Sequence, residues 1–211
     1  MTLAIILFTS LVSITTFGNR KMVQELIFYP PAITQKGQWY RFFTCGLLHA
    51  DWEHLIFNML SLYLFGATVE SYFNSDLLFG QMGQAFYLLL YVLALLFSLI
   101  PTFFKHRNDY QYRSLGASGA VSAIVFAGIL FNPTAKLGFF FIPPIIPGYI
   151  FGPLYLLFST WLERKGKDNI NHSAHIWGAL FGLGFTILLA SILKTEYQPL
   201  PQLLEKISQQ Y

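Results

Sequence analysis

Charged and uncharged positions along this chain fall into long blocks. Asp, Glu, Lys and Arg are absent from Leu3 to Asn19, Leu55 to Val69, Leu77 to Phe104, Leu115 to Ala135, Leu137 to Leu162 and Asn169 to Leu193. A bilayer-spanning helix needs about 20 mostly apolar residues, so six such tracts predict six spans. They are placed at residues 3–18, 54–72, 85–104, 116–131, 148–162 and 172–193. The fold class expected is an all-α membrane protein, a six-helix bundle formed by one membrane domain over residues 1–211. The fifth tract carries Pro143, Pro144 and Pro147 in its first half, which is therefore not regular helix, and its span is expected to begin near Gly148. The first tract lacks a basic leader region and a small-residue cleavage site, so it is taken as a retained span rather than a signal peptide.

Composition agrees with this pattern. The 211 residues are 55% hydrophobic and only 11% charged, against roughly 25% charged in a soluble domain. The net charge of +3 is divided among short loops, which points to membrane orientation and away from nucleic-acid binding. Cys45 is the only cysteine, so neither an intramolecular disulfide nor a cysteine-based zinc site is available. Between spans one and two, Trp39-Tyr40-Arg41-Phe42-Phe43 gives the long first loop an amphipathic, headgroup-seeking character. That loop is expected to be partly embedded.

Polar side chains within a membrane are costly, and His54, Asn58, Ser118 and His175 are the candidates for chemistry. His54 and Asn58 are four apart and share one helix face, from which both can donate to one acceptor. Ser118 lies between Gly116 and Gly119 at a helix start, where unpaired N–H groups favour a developing negative charge. His175 opens a span parallel to that of Ser118, at similar depth. A hydroxyl, an imidazole and oxyanion donors are the parts of nucleophilic acyl transfer. The alternative is that each is a back-bonded or interhelical polar residue without chemistry. HExxH is absent, and Asp51, Asp76, Asp109 and Asp168 all fall in or beside loops, so zinc and aspartyl mechanisms are set aside. No internal repeat or intramembrane charge ring favours a transporter.

These residues carry a resemblance. Gly116-Ala-Ser118-Gly119, His175-x-x-Gly178-x-x-x-Gly182 and His49-x-x-x-x-His54-x-x-x-Asn58, on six spans in this order, resemble the rhomboid family of intramembrane serine proteases of six-span bacterial type. Tyr40-Arg41 and Gly66-Ala-Thr-Val-Glu70 are similar to further family signatures. The resemblance implies that Ser118 is the nucleophile, His175 its general base, and His54, Asn58 and the Ser118 N–H the oxyanion hole, with a structural role for His49. It implies transmembrane protein substrates entering from the bilayer, and no metal or organic cofactor. Gly116, Gly119, Gly178 and Gly182 are expected to let the two helices close to within reach of a hydrogen bond. Where some family members carry an aromatic against the catalytic imidazole, this chain has Ser122, so the ring must be positioned by other means.

Orientation is a point of conflict. Arg20, Lys21, Lys36, Arg41, Lys105, Arg107, Arg113, Arg164, Lys165 and Lys167 lie in the loops after spans one, three and five, against Lys136, Lys194 and Lys206 elsewhere. The positive-inside rule puts those loops in the cytoplasm, whereas the resemblance implies a bacterial inner-membrane protein with that face outside. Folded structure in the long first loop can hold several of the charges, and the resemblance is preferred. The rival function is a catalytically silent relative that binds membrane helices without cutting them.

Overall fold

Runs of Leu, Ile, Phe and Ala without internal breakers form helices wherever a partner buries one of their faces. The computed structural model describes residues 1–139, 142–166 and 170–210. Lys167 and Asp168, counted above among the loop charges, lie outside them. In chain order the elements are α1 (Thr2–Thr16), α2 (Arg20–Leu26), α3 (Pro30–Lys36), α4 (Arg41–Thr44), α5 (Trp52–Phe73), α6 (Gly83–His106), α7 (Ser118–Phe131), β1 (Lys136–Phe139), β2 (Ile142–Pro147), α8 (Gly148–Lys165), α9 (His172–Ile192) and α10 (Pro199–Ser208). Among the described residues, two stretches, Gly80–His106 and His172–Ile192, are long and apolar enough to cross a membrane.

The chain is mostly helical, as expected, with one addition: β1 and β2 pair antiparallel between α7 and α8. Pro143, Pro144 and Pro147 cannot donate to a helix ladder, and an edge strand is one of the few regular structures that accepts them. The amphipathic α10, with Leu200 and Leu204 exposed, was not anticipated either.

The centre of the bundle is α7. Every residue from Gly119 to Phe131 except Val125 is buried, with α5, α6, α8, α9 and α10 packed around it. Its 14 residues extend only about 21 Å, while the 24 residues of α6 extend about 36 Å. Gly119 at the start of α7 packs on Ser98, eight residues before α6 ends at His106, so the start of α7 is recessed below that end. At the far end, Lys206 Nζ from α10 donates to the Phe131 carbonyl at 2.7 Å and satisfies a C-terminal acceptor of α7. Gly66 on α5 admits Thr2 and Tyr87, since a Cβ there would lie 2.6 Å from the Tyr87 hydroxyl. One turn on, Glu70 accepts hydrogen bonds from the Thr2 N–H at 2.8 Å and the Thr2 hydroxyl at 2.7 Å, which fixes α1 against α5.

The first loop is folded around a buried cation. Arg41 donates from Nη1 to the carbonyls of Gln24 (2.9 Å) and Ile27 (2.7 Å), and from Nε to Gln38 Oε1 (2.7 Å). Phe28 and Ser114 exchange backbone hydrogen bonds at 3.0 and 3.1 Å, tying this loop to the segment before α7. Arg41→Ala leaves buried acceptors unpaired, and hydrogen bonds from charged donors are the stronger kind. A loss of about 2 kcal/mol or more is expected, seen as a lower thermal midpoint in detergent. Arg41→Lys should restore only part of it, because an ammonium lacks the planar fork. An unchanged midpoint in Arg41→Ala would refute this role.

Candidate active site

Gly116 makes the turn that delivers Ser118. Its φ of +119° is a conformation that side chains rarely adopt. A Cβ there would also sit 2.8 Å from His54 Cε1 and 2.9 Å from His54 Nε2. Its N–H donates to the Cys45 carbonyl at 3.0 Å, anchoring the turn to the first loop. Ala117 precedes the helix, and no side chain caps it. The first-turn N–H groups of α7, Ser118's among them, therefore face the recess without an intrahelical acceptor.

His175 reaches the same recess from the first turn of α9. Its Nε2 lies 2.7 Å from Ser118 Oγ, both residues being half-buried. Gly178 and Gly182 allow this approach. A Cβ at Gly178 would run into the Gly119 carbonyl oxygen, and one at Gly182 into that of Ala123. Gly119 is similarly closed off by Ser98 on α6. The start of α9 is held by Asn171, whose Oδ1 accepts from the Ala174 N–H and the Thr102 hydroxyl, each at 3.1 Å. Ser98 and Asn171 were missed as site-supporting residues, although an Asn immediately before an apolar run is a visible N-cap signal.

His54 stands across from Ser118 and His175 at the start of α5, where Asp51 caps the helix by accepting from the His54 N–H at 2.7 Å. Its Nδ1 accepts from the Ala50 N–H at 3.4 Å. A neutral ring that accepts at Nδ1 carries its proton on Nε2, the nitrogen facing the Gly116 turn. Asn58 is buried one turn further along α5 and donates one of its two amide hydrogens to the His54 carbonyl at 2.9 Å. The structure thus brings Ser118, His175 and His54 together, with Asn58 partly engaged by its own helix. Ser122 does not touch the imidazole through a ring; its hydroxyl is 3.2 Å from the Tyr155 hydroxyl of α8. The ring edge-on to His175 is that of His172, centroids 5.8 Å apart.

Behind Ser118 is a cavity of about 10 Å³, room for roughly one water. It is lined by Cys45, Ser98, Ser114, Gly116, Ser118 and Asn171 among others. Burial pushes the Cys45 thiol up to about 12, so this cysteine is no nucleophile at neutral pH.

His49 packs edge-on to His54 at 4.9 Å. The Ser13 hydroxyl donates to the Leu47 carbonyl at 2.7 Å, so its oxygen accepts from His49 Nδ1–H at 2.8 Å. His49 Nε2 is buried without a partner among the described residues. Burial, and then the nearby His54, lower its pKa to about 3, with Asp51 opposing. Unfolding restores a value near 6.5, so below that pH the unfolded chain binds the extra proton. Stability from a neutral His49 is full above pH 6.5 and is lost as pH falls towards 3, about 2 kcal/mol of it by pH 5. The thermal midpoint should drop from pH 7.5 to pH 5, and His49→Asn should flatten that drop. Equal slopes in both proteins would contradict this assignment.

Residues 36–192 match the Rhomboid domain family. The chain belongs to the rhomboid family. Among its rhomboid relatives, RHOMBOID-like protein 12, mitochondrial, of Arabidopsis thaliana is 32% identical over 153 residues, 69% of this chain and 45% of that one. The Putative rhomboid protease YdcA of Bacillus subtilis (strain 168) is 30% identical over 162 residues, 76% of this chain and 71% of that protein. Rhomboid protease AarA of Providencia stuartii is 26% identical over 157 residues, 69% of this chain and 54% of that one. As a rhomboid, the chain is an integral membrane protein. The matched segment contains Ser118, His175, His54 and Asn58, while α1, α2 and α10 lie outside it.

Proposed function

We propose that this rhomboid is an intramembrane serine endopeptidase that cuts transmembrane segments of membrane proteins with a Ser118–His175 dyad. The observation that carries the reading is the 2.7 Å contact between Ser118 Oγ and His175 Nε2 at the recessed start of α7. In this mechanism His175 Nε2 takes the hydroxyl proton as Oγ adds to the scissile carbonyl carbon. The oxyanion is held by the Ser118 N–H and His54 Nε2–H, joined by the free amide hydrogen of Asn58. The imidazolium then gives its proton to the leaving nitrogen, and water, deprotonated by His175, releases the acyl group. Two relatives named as rhomboid proteases support the activity.

In the same reading, α1, α5, α6, α7, α8 and α9 are the six spans of one membrane domain, α7 being short because it is enclosed by the others. Packing supports entry of a substrate helix between α5 and α8: α8 leans on α9, touches α7 lightly and has little contact with α5. The face carrying Ser118 is placed outside a bacterial inner membrane. Four of the cations that argued otherwise are engaged: Arg41 on loop carbonyls, Lys105 with Glu163 (2.8 Å), Arg113 over Tyr29 (4.4 Å) and Lys165 over Trp161 (3.5 Å).

The test is cleavage of a labelled transmembrane segment in proteoliposomes by wild type, Ser118→Ala and His175→Ala, with and without a chelator. Cutting that survives the chelator and vanishes in both variants supports the dyad. Cutting that persists in Ser118→Ala overturns it.

A further inference from the structure

On the face that carries Ser118, but apart from it, the first loop and the segment before α7 enclose a cavity of about 360 Å³. Its lining includes Lys36, Gln38, Arg41, Arg113, Gln24 and Tyr29. Lys36 and Arg41 come from the first loop and Arg113 from the segment before α7, and the two places converge only in the fold. Arg41 is 6% exposed, and a buried guanidinium is normally matched by an anion. None of the three pairs with a carboxylate among the described residues. Arg41 spends Nε and Nη1 on Gln38 and two carbonyls, so the two Nη2 hydrogens remain of its five. Arg113 is exposed yet oriented, because its guanidinium lies over the Tyr29 ring and Nη1 donates to the Tyr110 and Gln111 carbonyls. Beside the cavity, Trp39 and Tyr40 are exposed, as amphipathic rings are at the headgroup level of a bilayer.

We propose that this cavity is a binding site for the phosphate group of an anionic membrane lipid. A phosphodiester presents two free oxygens, one to the remaining Arg41 Nη2 hydrogens and the other to the Lys36 and Arg113 charges at the rim. Free inorganic phosphate shares that chemistry. The lipid is favoured because Trp39 and Tyr40 put the cavity mouth at the depth of headgroups, where acyl chains keep the phosphate at high local concentration. A headgroup held there would bridge the first loop, which carries Arg41, to the segment that delivers Ser118.

The experiment uses the full chain in detergent with fluorescent short-chain phosphatidylglycerol, compared with phosphatidylcholine of the same chains and with inorganic phosphate as competitor. Phosphatidylglycerol should bind at least about tenfold more tightly than phosphatidylcholine. The double variant Lys36→Gln/Arg113→Gln should weaken it about tenfold or more, with an unchanged thermal midpoint. Lys36→Arg/Arg113→Lys should retain binding, and Lys194→Gln, at a cation remote in the chain, should leave it unaltered. Equal affinity for the two lipids, or equal phosphatidylglycerol binding by the double glutamine variant, would overturn the site. Displacement of the lipid by millimolar inorganic phosphate would overturn its assignment to lipid. If the double variant loses its thermal midpoint, Lys36→Gln alone, at an exposed position, decides: several-fold weaker binding supports the site and unchanged binding overturns it.

Discussion

Ser118→Ala should reduce cleavage of a transmembrane segment to near background, a fall of at least about 10⁴-fold in kcat. The variant deletes the proposed nucleophile, 2.7 Å from the imidazole that would take its proton. The Ser118 N–H and His54 remain, so residual oxyanion stabilisation is retained, but no group is left to form the acyl intermediate. His175→Ala should fall by a similar factor, since an unactivated hydroxyl is a weak nucleophile. In the proposed dyad the two groups act as one unit, so the double variant should be no slower than either single one. Single-turnover cleavage in proteoliposomes, beside a thermal midpoint for each variant, measures this. Multiplicative losses in the double variant would mean that the two side chains act separately and that the dyad assignment is wrong.

Gly178→Ala should cost roughly 100-fold in turnover although it removes no chemical group. Its Cβ would enter the Gly119 carbonyl, which is backbone and cannot swing aside. α7 and α9 must therefore separate, and overpacking of this kind costs about 1–3 kcal/mol. Separation also lengthens the Ser118–His175 contact, and a misplacement of about 1 Å in catalytic geometry costs roughly 100-fold in rate. Gly178→Leu should be worse on both counts. Gly184 lies on the same helix with nothing within 4 Å of its Cβ position. Gly184→Ala should therefore leave turnover and midpoint unchanged. Assays well below each variant's midpoint separate lost geometry from lost folding. Wild-type turnover in folded Gly178→Leu would show that close helix approach is not required.

Much of the architecture follows from local chemistry. Long uncharged apolar tracts without internal proline clusters favour helix, so helices at Thr2–Thr16, Gly83–His106, Ser118–Phe131 and His172–Ile192 occupy tracts visible in the sequence. Ser118 at a glycine-flanked helix start was equally visible, because Gly116 and Gly119 mark a turn and a close packing surface. The strand pair Lys136–Pro147 was not, since proline excludes helix without specifying what replaces it. α10 was invisible for another reason: ten residues of amphipathic sequence acquire a position only when Lys206 finds the Phe131 carbonyl.

Sequence alone determined which residue types are available for chemistry and which segments seek the bilayer, since both depend on composition and short-range spacing. Only the tertiary structure decided what each glycine meets. Gly178 faces the Gly119 carbonyl, whereas Gly184 on the same helix faces open space. It also decided that Asn58 donates one hydrogen to its own helix, that His172 rather than position 122 stands against His175, and that Lys36, Arg41 and Arg113 converge on one cavity. Each of these depends on helix rotation and on contacts between distant segments. Those are set by side chains interlocking across the whole bundle, and no local pattern encodes them.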